Sequence, residues 1–388
     1  MIPISRPLTG PEEMKAVEKV FSSAWLGLGS TVLEFERAVQ EYLGVKHAVA
    51  VNTGTSALHI ALAGFGIGPG DEVIVPSITF AACVQSILAL GATPVFAESH
   101  EDTLLLDVDD VKKRLTKKTK AVMPVHYCGN PCDLDALWAL AEDRGLRVIE
   151  DAAHAFGSDY HGRKIGARGD AACFSFDPIK NITTGEGGAV VLGDDEAAER
   201  IRRMRILGID KDTWLRYKNT RSYFYEVVSP GFRYHMPNFC AAVGLEQLKK
   251  LPGFIARRRA ICRRYDEAFS GLKDVKPLKV DYATTAPHIY IVRVPEGRRD
   301  EFMELLKARG VGTGLHYIAN HEQPYFKKYA ASPLPRAESL WRRIVTIPLH
   351  CALSDADVET VIAAVQEFDR KDGAGRPAPG RIGKRVMP

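Results

Sequence analysis

Two charged residues, Lys180 and Asp151, each follow an apolar run of the kind that forms a buried strand. Lys180 lies between the run Ala172–Phe176 and a glycine-rich turn, and Asp151 ends the run Arg147–Asp151. An amine in such a place can form a Schiff base with an aldehyde, and a carboxylate can keep a pyridine nitrogen protonated. The chemistry of pyridoxal phosphate (PLP) needs both groups. A buried ion pair, or two unrelated loop charges, is the alternative interpretation.

A candidate phosphate site precedes this pair in the chain. The segment Asn52–Leu58 follows a predicted strand and opens a predicted helix, and it contains Gly54, Thr55 and Ser56. Small residues let backbone N–H groups approach a phosphate, and the positive end of the helix favours the dianion. Ser175, at the end of its own strand, can add a hydroxyl to the same phosphate. An ordinary strand-to-helix turn with Ser/Thr capping is the alternative.

Phe80 and His154 also follow predicted strands and can complete a cofactor site. An aromatic residue at the carboxyl end of a strand can stack on a pyridine ring, although such a residue is often part of the core. His154 comes three residues after Asp151, so in a helical turn its imidazole faces the same side. It can then bond the carboxylate or the phenolic oxygen of the cofactor. A structural histidine with satisfied hydrogen bonds is the alternative.

Short apolar runs alternate with helical patterns between residues 45 and 195, which predicts an α/β fold with a large, mostly parallel sheet. Ligands of such sheets bind beyond the carboxyl ends of the strands, where Asp151, Lys180 and the Gly54 turn are all expected. The predicted strands are His47–Val51, Glu72–Val75, Pro94–Ala97, Ala121–His126, Arg147–Asp151, Ala172–Phe176 and Ala189–Leu192.

The chain of 388 residues is long enough for two domains. We expect a large cofactor-binding domain over residues 1–245, a smaller C-terminal α/β domain over 246–369, and a disordered basic tail over 370–388. A charged helix over Leu245–Phe269 leads into the second domain. The elements expected beyond it are a strand at Ile289–Val294, a helix at Asp300–Arg309, a strand at Gly314–Tyr317, a helix at Ala337–Ile344 and a helix at Ser354–Phe368 capped by Ser354 and Asp357.

Composition is that of a globular protein, with 46% apolar and 26% charged residues. The N-terminus lacks the apolar core of a signal peptide and the chain has no apolar run of transmembrane length, so we expect a cytoplasmic protein with no membrane partner. Seven scattered cysteines suggest neither a disulfide framework nor a metal site. The basic tail lacks aromatic residues for base stacking, which disfavours a nucleic-acid partner.

Three segments together resemble the DegT/DnrJ/EryC1/StrS sugar aminotransferases. They are Glu150–His154, the Lys180 segment ending Thr183–Gly188, and Gly231–Met236. The resemblance spans roughly residues 3–368. It implies the aspartate aminotransferase-like fold of the type I PLP-dependent enzymes, a homodimer whose active sites lie between subunits, and transfer of an amino group from glutamate to a keto-sugar, usually a nucleotide-linked one.

The resemblance also implies roles for individual residues. Lys180 is the Schiff-base lysine and moves the proton during turnover, and Asp151 is the partner of the pyridine nitrogen. From its position after Asp151, His154 is expected to act beside them as a catalytic residue. Many relatives have Asn at the position of Arg233, where it reaches the partner subunit's cofactor phosphate. Arg233 is expected to contact that phosphate, or a phosphate or carboxylate of the substrate. The other residues implied to bind the cofactor are Gly54, Thr55, Ser56, Ser175 and Phe80.

The turn Ile179–Gly188 resembles family members that aminate C4 of the sugar, among them the UDP-4-amino-4-deoxy-L-arabinose aminotransferases. That likeness extends to residues 310–321 and implies substrate contacts by Glu186, His316 and His321. Asp177, where relatives usually have histidine, departs from the pattern. The sequence therefore predicts amino transfer from glutamate to the C4 keto group of a nucleotide-linked 4-keto sugar. A different keto-sugar (C3-keto or not nucleotide-linked) and a catalytically silent PLP-binding relative are the alternatives.

Overall fold

The computed structural model describes residues 1–210 and 225–371. The predicted basic tail lies outside the described residues from position 372 onward. No helix in the described parts of the chain is both long enough and apolar enough to cross a membrane. The α-helices of these parts are α1 (Pro11–Ser22), α2 (Ser30–Leu43), α3 (Gly54–Gly64), α4 (Ala81–Ala89), α5 (Val108–Arg114), α6 (Leu134–Arg144), α7 (Asp195–Met204), α8 (Asn238–Phe269), α9 (Arg299–Ala308), α10 (Pro335–Arg343) and α11 (Asp355–Lys371).

A seven-stranded sheet forms the centre of the molecule, in the order β1-β9-β8-β5-β4-β2-β3. A hairpin of β6 and β7 and a three-stranded sheet of β10, β11 and β12 accompany it. The strands are β1 (His47–Val51), β2 (Glu72–Pro76), β3 (Thr93–Ala97), β4 (Thr119–Val122), β5 (Arg147–Asp151), β6 (Asp159–Tyr160), β7 (Arg163–Lys164), β8 (Ala171–Ser175), β9 (Gly188–Leu192), β10 (Lys276–Pro277), β11 (Tyr290–Arg293) and β12 (Ile344–Ile347).

The central sheet is parallel from β3 through β2, β4 and β5 to β8, and only β9 runs against its neighbours β8 and β1. The predicted α/β fold with a large, mostly parallel sheet is confirmed. Because β9 reverses direction, the connection from β8 to β9 stays at the carboxyl edge of the sheet. Lys180 lies in that connection, and the β5–β8 register places Asp151 opposite Cys173. The two candidate catalytic residues therefore meet at one edge.

Side-chain caps and left-handed glycines define several helix boundaries. The carboxylates of Asp107, Asp133 and Asp194 accept N–H groups from the first turns of α5, α6 and α7. Gly145 ends α6 with a φ of 63°, a conformation that glycine adopts without steric cost. The predicted cap of the last helix is confirmed, because the Ser354 hydroxyl accepts the N–H of Asp357 at 3.1 Å.

The three-stranded sheet covers a second apolar cluster that includes Phe302, Phe368 and Tyr265. Its strand β12 was not expected, since the sequence placed Ile344 at the end of a helix. All four residues of the run Ile344–Ile347 are β-branched, which favours a strand after α10 ends at Arg343. The strand predicted at 314–317 is wrong: only Gly314 forms a single bridge, to Thr346.

Helix α8 begins earlier than predicted, at Asn238 instead of Leu245. The Asn238 side chain explains the early start, because it accepts the N–H of Val32 and donates to the carbonyl of Trp25, which anchors the first turn to the segment around α2. α8 then contributes buried residues to both apolar clusters. The division into two domains at residue 245, which falls inside this helix, stays a prediction.

A buried ion pair joins α2 to the residue that follows α7. Arg205 is fully buried, and its Nη1 contacts both a carboxylate oxygen of Glu36 and, at 2.9 Å, the carbonyl of Ala50. The same Glu36 oxygen accepts the N–H of Ala50 at 2.8 Å. Because Ala50 belongs to β1, this network fixes the edge of the sheet from which α3 departs.

Replacing Glu36 by glutamine should therefore destabilise the fold strongly. Glutamine keeps the acceptor for the Ala50 N–H but leaves the buried guanidinium without a counter-charge, a loss of about 3 kcal/mol or more in the free energy of unfolding. Urea unfolding measures it. Glu196→Gln, which removes an exposed partner 3.6 Å from Arg200, should change that free energy by no more than about 0.5 kcal/mol. Equal stability of the two variants would contradict this role of Glu36.

Candidate active site

A cavity of about 270 Å³ lies at the carboxyl edge of the central sheet. It is open to one side and lies between the first turn of α3, the ends of β5 and β8, and the segment that contains His316. Ligands of doubly wound α/β sheets bind at this edge. The predicted site residues that line the cavity are Gly54, Thr55, Phe80, Asp151, His154, Ser175, Lys180, Glu186 and His316.

Asp151 is the last residue of β5 and is only 5% exposed. Its two carboxylate oxygens have different partners: Oδ1 accepts the N–H of Ala153 at 3.0 Å, and Oδ2 accepts the thiol of Cys83 at 2.8 Å. A carboxylate has about four acceptor positions, so two further hydrogen bonds can be made on the side of the cavity. Asp151 is thus an oriented anion with capacity left for a cationic ring nitrogen.

Lys180 lies half-buried in the β8–β9 connection, and its Nζ is 3.4 Å from Nε2 of His288. Burial lowers the pKa of Lys180 to about 8, against the opposing effect of the Asp151 and Asp177 carboxylates. The local turn is fixed by Asp177, whose carboxylate accepts the N–H of Ile179 at 3.0 Å and whose carbonyl accepts the N–H of Lys180. An amine with this pKa is a nucleophile and a base near neutral pH.

The beginning of α3 forms an anion site against the end of β8. A Cβ on Gly54 would lie 2.7 Å from the Cβ of Ser175, so only glycine permits this close approach. Thr53 caps the helix by accepting the N–H of Ser56, and Thr55 is exposed on the cavity side. Backbone N–H groups, a helix N-terminus and the Ser175 hydroxyl thus converge where a phosphate can bind.

The Ser56 side chain is directed into the turn and not into the cavity. Its hydroxyl donates to Oδ1 of Asn52 at 2.7 Å and lies 2.9 Å from the hydroxyl of Thr53, and the residue does not line the cavity. The side chain therefore stabilises the turn that precedes the helix. Only its neighbours Gly54 and Thr55 are placed to meet an anion directly.

His154 lies beside Lys180 but does not bond the Asp151 carboxylate. Its Nε2 is 3.1 Å from the hydroxyl of Tyr317, and its ring packs on the ring of His288 at 4.5 Å. Burial, together with the nearby Lys180 charge, holds the pKa of His154 and of His288 well below the ordinary value. Both imidazoles are therefore neutral next to the lysine at physiological pH.

Phe80 is 57% exposed, a large apolar surface for a residue that lies directly at the cavity. Its ring centroid is 5.6 Å from that of Tyr317. Such an exposed aromatic face, flanked by a second ring, is suited to stack on a planar ligand. The alternative that Phe80 belongs to the core is wrong.

The mouth of the cavity carries acidic groups and one histidine. Glu186 is exposed, and partial burial together with the charge of Asp177 raises its pKa. Nδ1 of His316 is 2.7 Å from the Thr346 hydroxyl, and burial lowers the pKa of His316 to about 4. Neutral His316 and the two carboxylates can thus exchange hydrogen bonds with a hydroxyl-rich ligand.

Two further predicted residues lie away from the cavity. Arg233 is exposed and does not line it. His321 is buried behind the wall, with Nδ1 2.6 Å from the Ser77 hydroxyl and Nε2 3.5 Å from a carboxylate oxygen of Glu338. The expected direct contact of His321 with a substrate is not supported by this position.

Sequence reasoning missed Cys83, His288 and Tyr317 as members of the site. Each contacts a predicted catalytic residue, but each comes from an element distant in sequence. A lone cysteine in a helix and a lone histidine before a strand carry no local signal. Tyr317 lies in the segment 310–321 that resembles the family, which is the indication that the sequence offers for it.

These residues fit PLP. An amine, an oriented carboxylate, an exposed aromatic face and a glycine-dependent anion site surround one cavity, and they match the aldehyde, the ring nitrogen, the ring face and the phosphate of that cofactor. Together with the mostly parallel central sheet, the site defines a PLP-dependent enzyme of fold type I.

The chain belongs to the DegT/DnrJ/EryC1/StrS aminotransferase family, whose profile matches residues 7–366. The spore coat polysaccharide biosynthesis protein SpsC of Bacillus subtilis (strain 168) is 42% identical over 376 residues, which cover 95% of this chain and 97% of that protein. The aminotransferase TlmJ from Streptoalloteichus hindustanus has a TM-score of 0.90 and 37% identity, covering 96% of this chain and 100% of that chain.

Spr1654 from Streptococcus pneumoniae, solved in PLP and PMP forms, is also similar. Its PLP form has a TM-score of 0.88 and 30% identity, covering 95% of this chain and 99% of that chain. The protein is thus a PLP-dependent sugar aminotransferase. When bound, PLP carries the amino group and accepts the electrons of the bond that breaks.

The lowered pKa of Lys180 predicts how cofactor capture depends on pH. Only the neutral amine attacks an aldehyde, so the rate at which cofactor-free protein captures PLP should rise through pH 8 and level off above about pH 9. Stopped-flow absorbance measures the rate. The same reaction with Nα-acetyllysine corrects for ionisation of PLP itself. A midpoint near 10.5, the ordinary lysine value, would show that burial does not activate Lys180.

Proposed function

We propose that this enzyme transfers the amino group of glutamate to the C4 keto group of a nucleotide-linked 4-keto sugar, with Lys180, Asp151 and His154 as its catalytic residues. The observation that carries the assignment is the pairing of an amine of lowered pKa with an oriented carboxylate at one cavity, in a member of a sugar aminotransferase family.

The proposed roles follow from the positions of the side chains. Lys180 holds the cofactor covalently and, once displaced by the amino donor, moves the proton as a base. Its pKa of about 8 suits both tasks near neutral pH. Asp151 keeps the pyridine nitrogen protonated. Neutral His154 and its partner Tyr317 offer hydrogen bonds on the same side of the cavity as Lys180.

The phosphate is proposed to bind at the beginning of α3, to the N–H groups of Gly54 and Thr55 and to the hydroxyl of Ser175. Ser56 supports this site from behind through Asn52. The ring is proposed to stack on Phe80. Arg233 is proposed to act across a subunit interface, because it is exposed and lies away from the cavity of its own subunit.

A homodimer is proposed because large apolar side chains are exposed together near α1 and the start of α8. Phe21 is 59% exposed, Leu26 41% and Phe239 37%, and the rings of Phe21 and Phe239 lie 6.4 Å apart. Exposed apolar patches of this kind mark interaction surfaces.

The cytoplasm is the proposed location, in keeping with a PLP enzyme that uses glutamate.

Two features support amination at C4 of the sugar and a nucleotide-linked acceptor. The turn Thr184–Gly187 resembles that of C4-type relatives, and Glu186 in it faces the cavity mouth together with His316, where the sugar hydroxyls are proposed to bind. SpsC is a spore coat polysaccharide biosynthesis protein, and polysaccharides are assembled from activated sugars. A C3-keto sugar, or a keto-sugar without a nucleotide, remains the alternative acceptor.

Neutralising Asp151 should separate cofactor attachment from turnover. Asp151→Asn keeps Lys180 and should still yield an adduct that borohydride traps, but a neutral pyridine accepts electrons poorly. We expect kcat to fall about a hundredfold or more, the order of magnitude for losing one electrostatic contact to developing charge. Asp195→Asn, an exposed carboxylate far from the cavity, is the matched control. Wild-type kcat in Asp151→Asn would refute the role.

A panel of keto-sugars tests the acceptor. With glutamate as donor, purified enzyme should aminate nucleotide-linked 4-keto sugars with a kcat/KM at least about tenfold above that for 3-keto analogues or for 4-keto sugars lacking the nucleotide. Mass spectrometry and NMR of the product identify the aminated carbon. Turnover of 3-keto sugars alone, or of nucleotide-free sugars alone, would contradict the proposal in favour of the alternative acceptor.

A further inference from the structure

Cys83 lies in the first turn of α4 and contacts the carboxylate that the proposed function assigns to the pyridine nitrogen. The residue is 0% exposed, and its Sγ is 2.8 Å from Oδ2 of Asp151. Phe80 stands just before the same helix and lines the cavity. One helix therefore supplies both a ring face and a contact to Asp151.

The direction of the hydrogen bond is determined by chemistry. Burial and the adjacent Asp151 charge raise the pKa of the Cys83 thiol well above its ordinary value, so the group keeps its proton. An ionised carboxylate only accepts, so the thiol donates to Oδ2. The Thr79 hydroxyl lies 3.2 Å from Sγ and donates to it, since the thiol proton is already engaged. The chain of donors runs Thr79 to Cys83 to Asp151.

This chain and the backbone hold both carboxylate oxygens. The N–H of Ala153 reaches Oδ1 at 3.0 Å while the thiol reaches Oδ2 at 2.8 Å, so rotation about the side-chain torsions of Asp151 breaks one bond or the other. His154, the expected partner, does not bond this carboxylate: its Nε2 lies beside the Tyr317 hydroxyl, and its Nδ1 has no hydrogen-bond partner among the described residues. One of the two hydrogen bonds that hold Asp151 thus comes from a cysteine.

We propose that Cys83 is a positioning residue, whose thiol holds the Asp151 carboxylate in the orientation that receives the pyridinium nitrogen of PLP. The inference rests on the proposed role of Asp151. It predicts that PLP affinity and kcat depend on the hydrogen-bond donor at position 83 and not on the bulk of the side chain.

Cys173 provides a matched control for the bulk of a buried cysteine. It lies on β8 directly opposite Asp151, is 1% exposed, and its Sγ is 3.5 Å from the carbonyl of Ala57. Cys83→Ala and Cys173→Ala therefore remove the same atoms from neighbouring buried places. Only the first removes a donor to the Asp151 side chain.

The experiment compares Cys83→Ala, Cys83→Ser and Cys173→Ala in the full chain. The PLP dissociation constant is measured by equilibrium dialysis, kcat and the acceptor KM by steady-state kinetics, and folding by thermal unfolding. Cys83→Ala should weaken PLP binding and lower kcat by about fivefold each with KM unchanged, as expected for loss of one weak donor to a charged group. Cys83→Ser keeps a donor and should stay within about twofold of wild type.

Two outcomes would overturn the positioning role: Cys83→Ala matching Cys173→Ala in both PLP affinity and kcat, or Cys83→Ser as impaired as Cys83→Ala. If Cys83→Ala does not fold, Thr79→Val is the variant that tests the proposal. It removes the outer hydrogen-bond donor at similar volume and should weaken PLP binding in the same direction. Asp151→Asn distinguishes a failure of the proposed function from a failure of the role of Cys83. If it leaves PLP affinity and kcat unchanged, the proposed function fails, whereas an impaired Asp151→Asn beside an unimpaired Cys83→Ala refutes only the role of Cys83.

Discussion

Parallel pairing of β5 with β8 brings the candidate catalytic groups together. The register that places Asp151 opposite Cys173 brings the carboxylate to the same edge at which β8 ends. Because β9 returns antiparallel, the intervening connection cannot leave that edge, and Lys180 is held within it. The close contact between Gly54 and Ser175 then sets the first turn of α3 beside the end of β8. A shift of this register would separate the amine, the acid and the anion site at once.

Burial controls the electrostatics of this edge. It lowers the pKa of Lys180 to about 8 even though two carboxylates, Asp151 and Asp177, oppose the effect. The same burial keeps His154 and His288 neutral, so these two imidazoles do not compete with Lys180 as cations for the carboxylates. The amine is therefore close to its reactive form at neutral pH, while Asp151 retains hydrogen bonds suited to an anion.

Local patterns predicted most of the framework, because alternating apolar runs and caps such as Ser354 act over short distances. The sequence also identified half of the residues that line the cavity, although Glu186 and His316 were found only through the family resemblance. One failure was local, because the run that forms β12 is itself rich in β-branched residues, but other features depend on long-range contacts. The antiparallel direction of β9 is set by its partners, and His321 is buried by its bond to Ser77, 244 residues away in sequence. Cys83, from another element, meets Asp151 only through tertiary packing, which no local spacing reveals.

Attachment of the cofactor to Lys180 is the central claim, and peptide mapping tests it most directly. The protein loaded with PLP is reduced with borohydride, digested and analysed by tandem mass spectrometry. We expect the reduced cofactor on Lys180 alone, with no stable adduct in Lys180→Ala. A cofactor mass on a different lysine, or an equally stable adduct in Lys180→Ala, would contradict it.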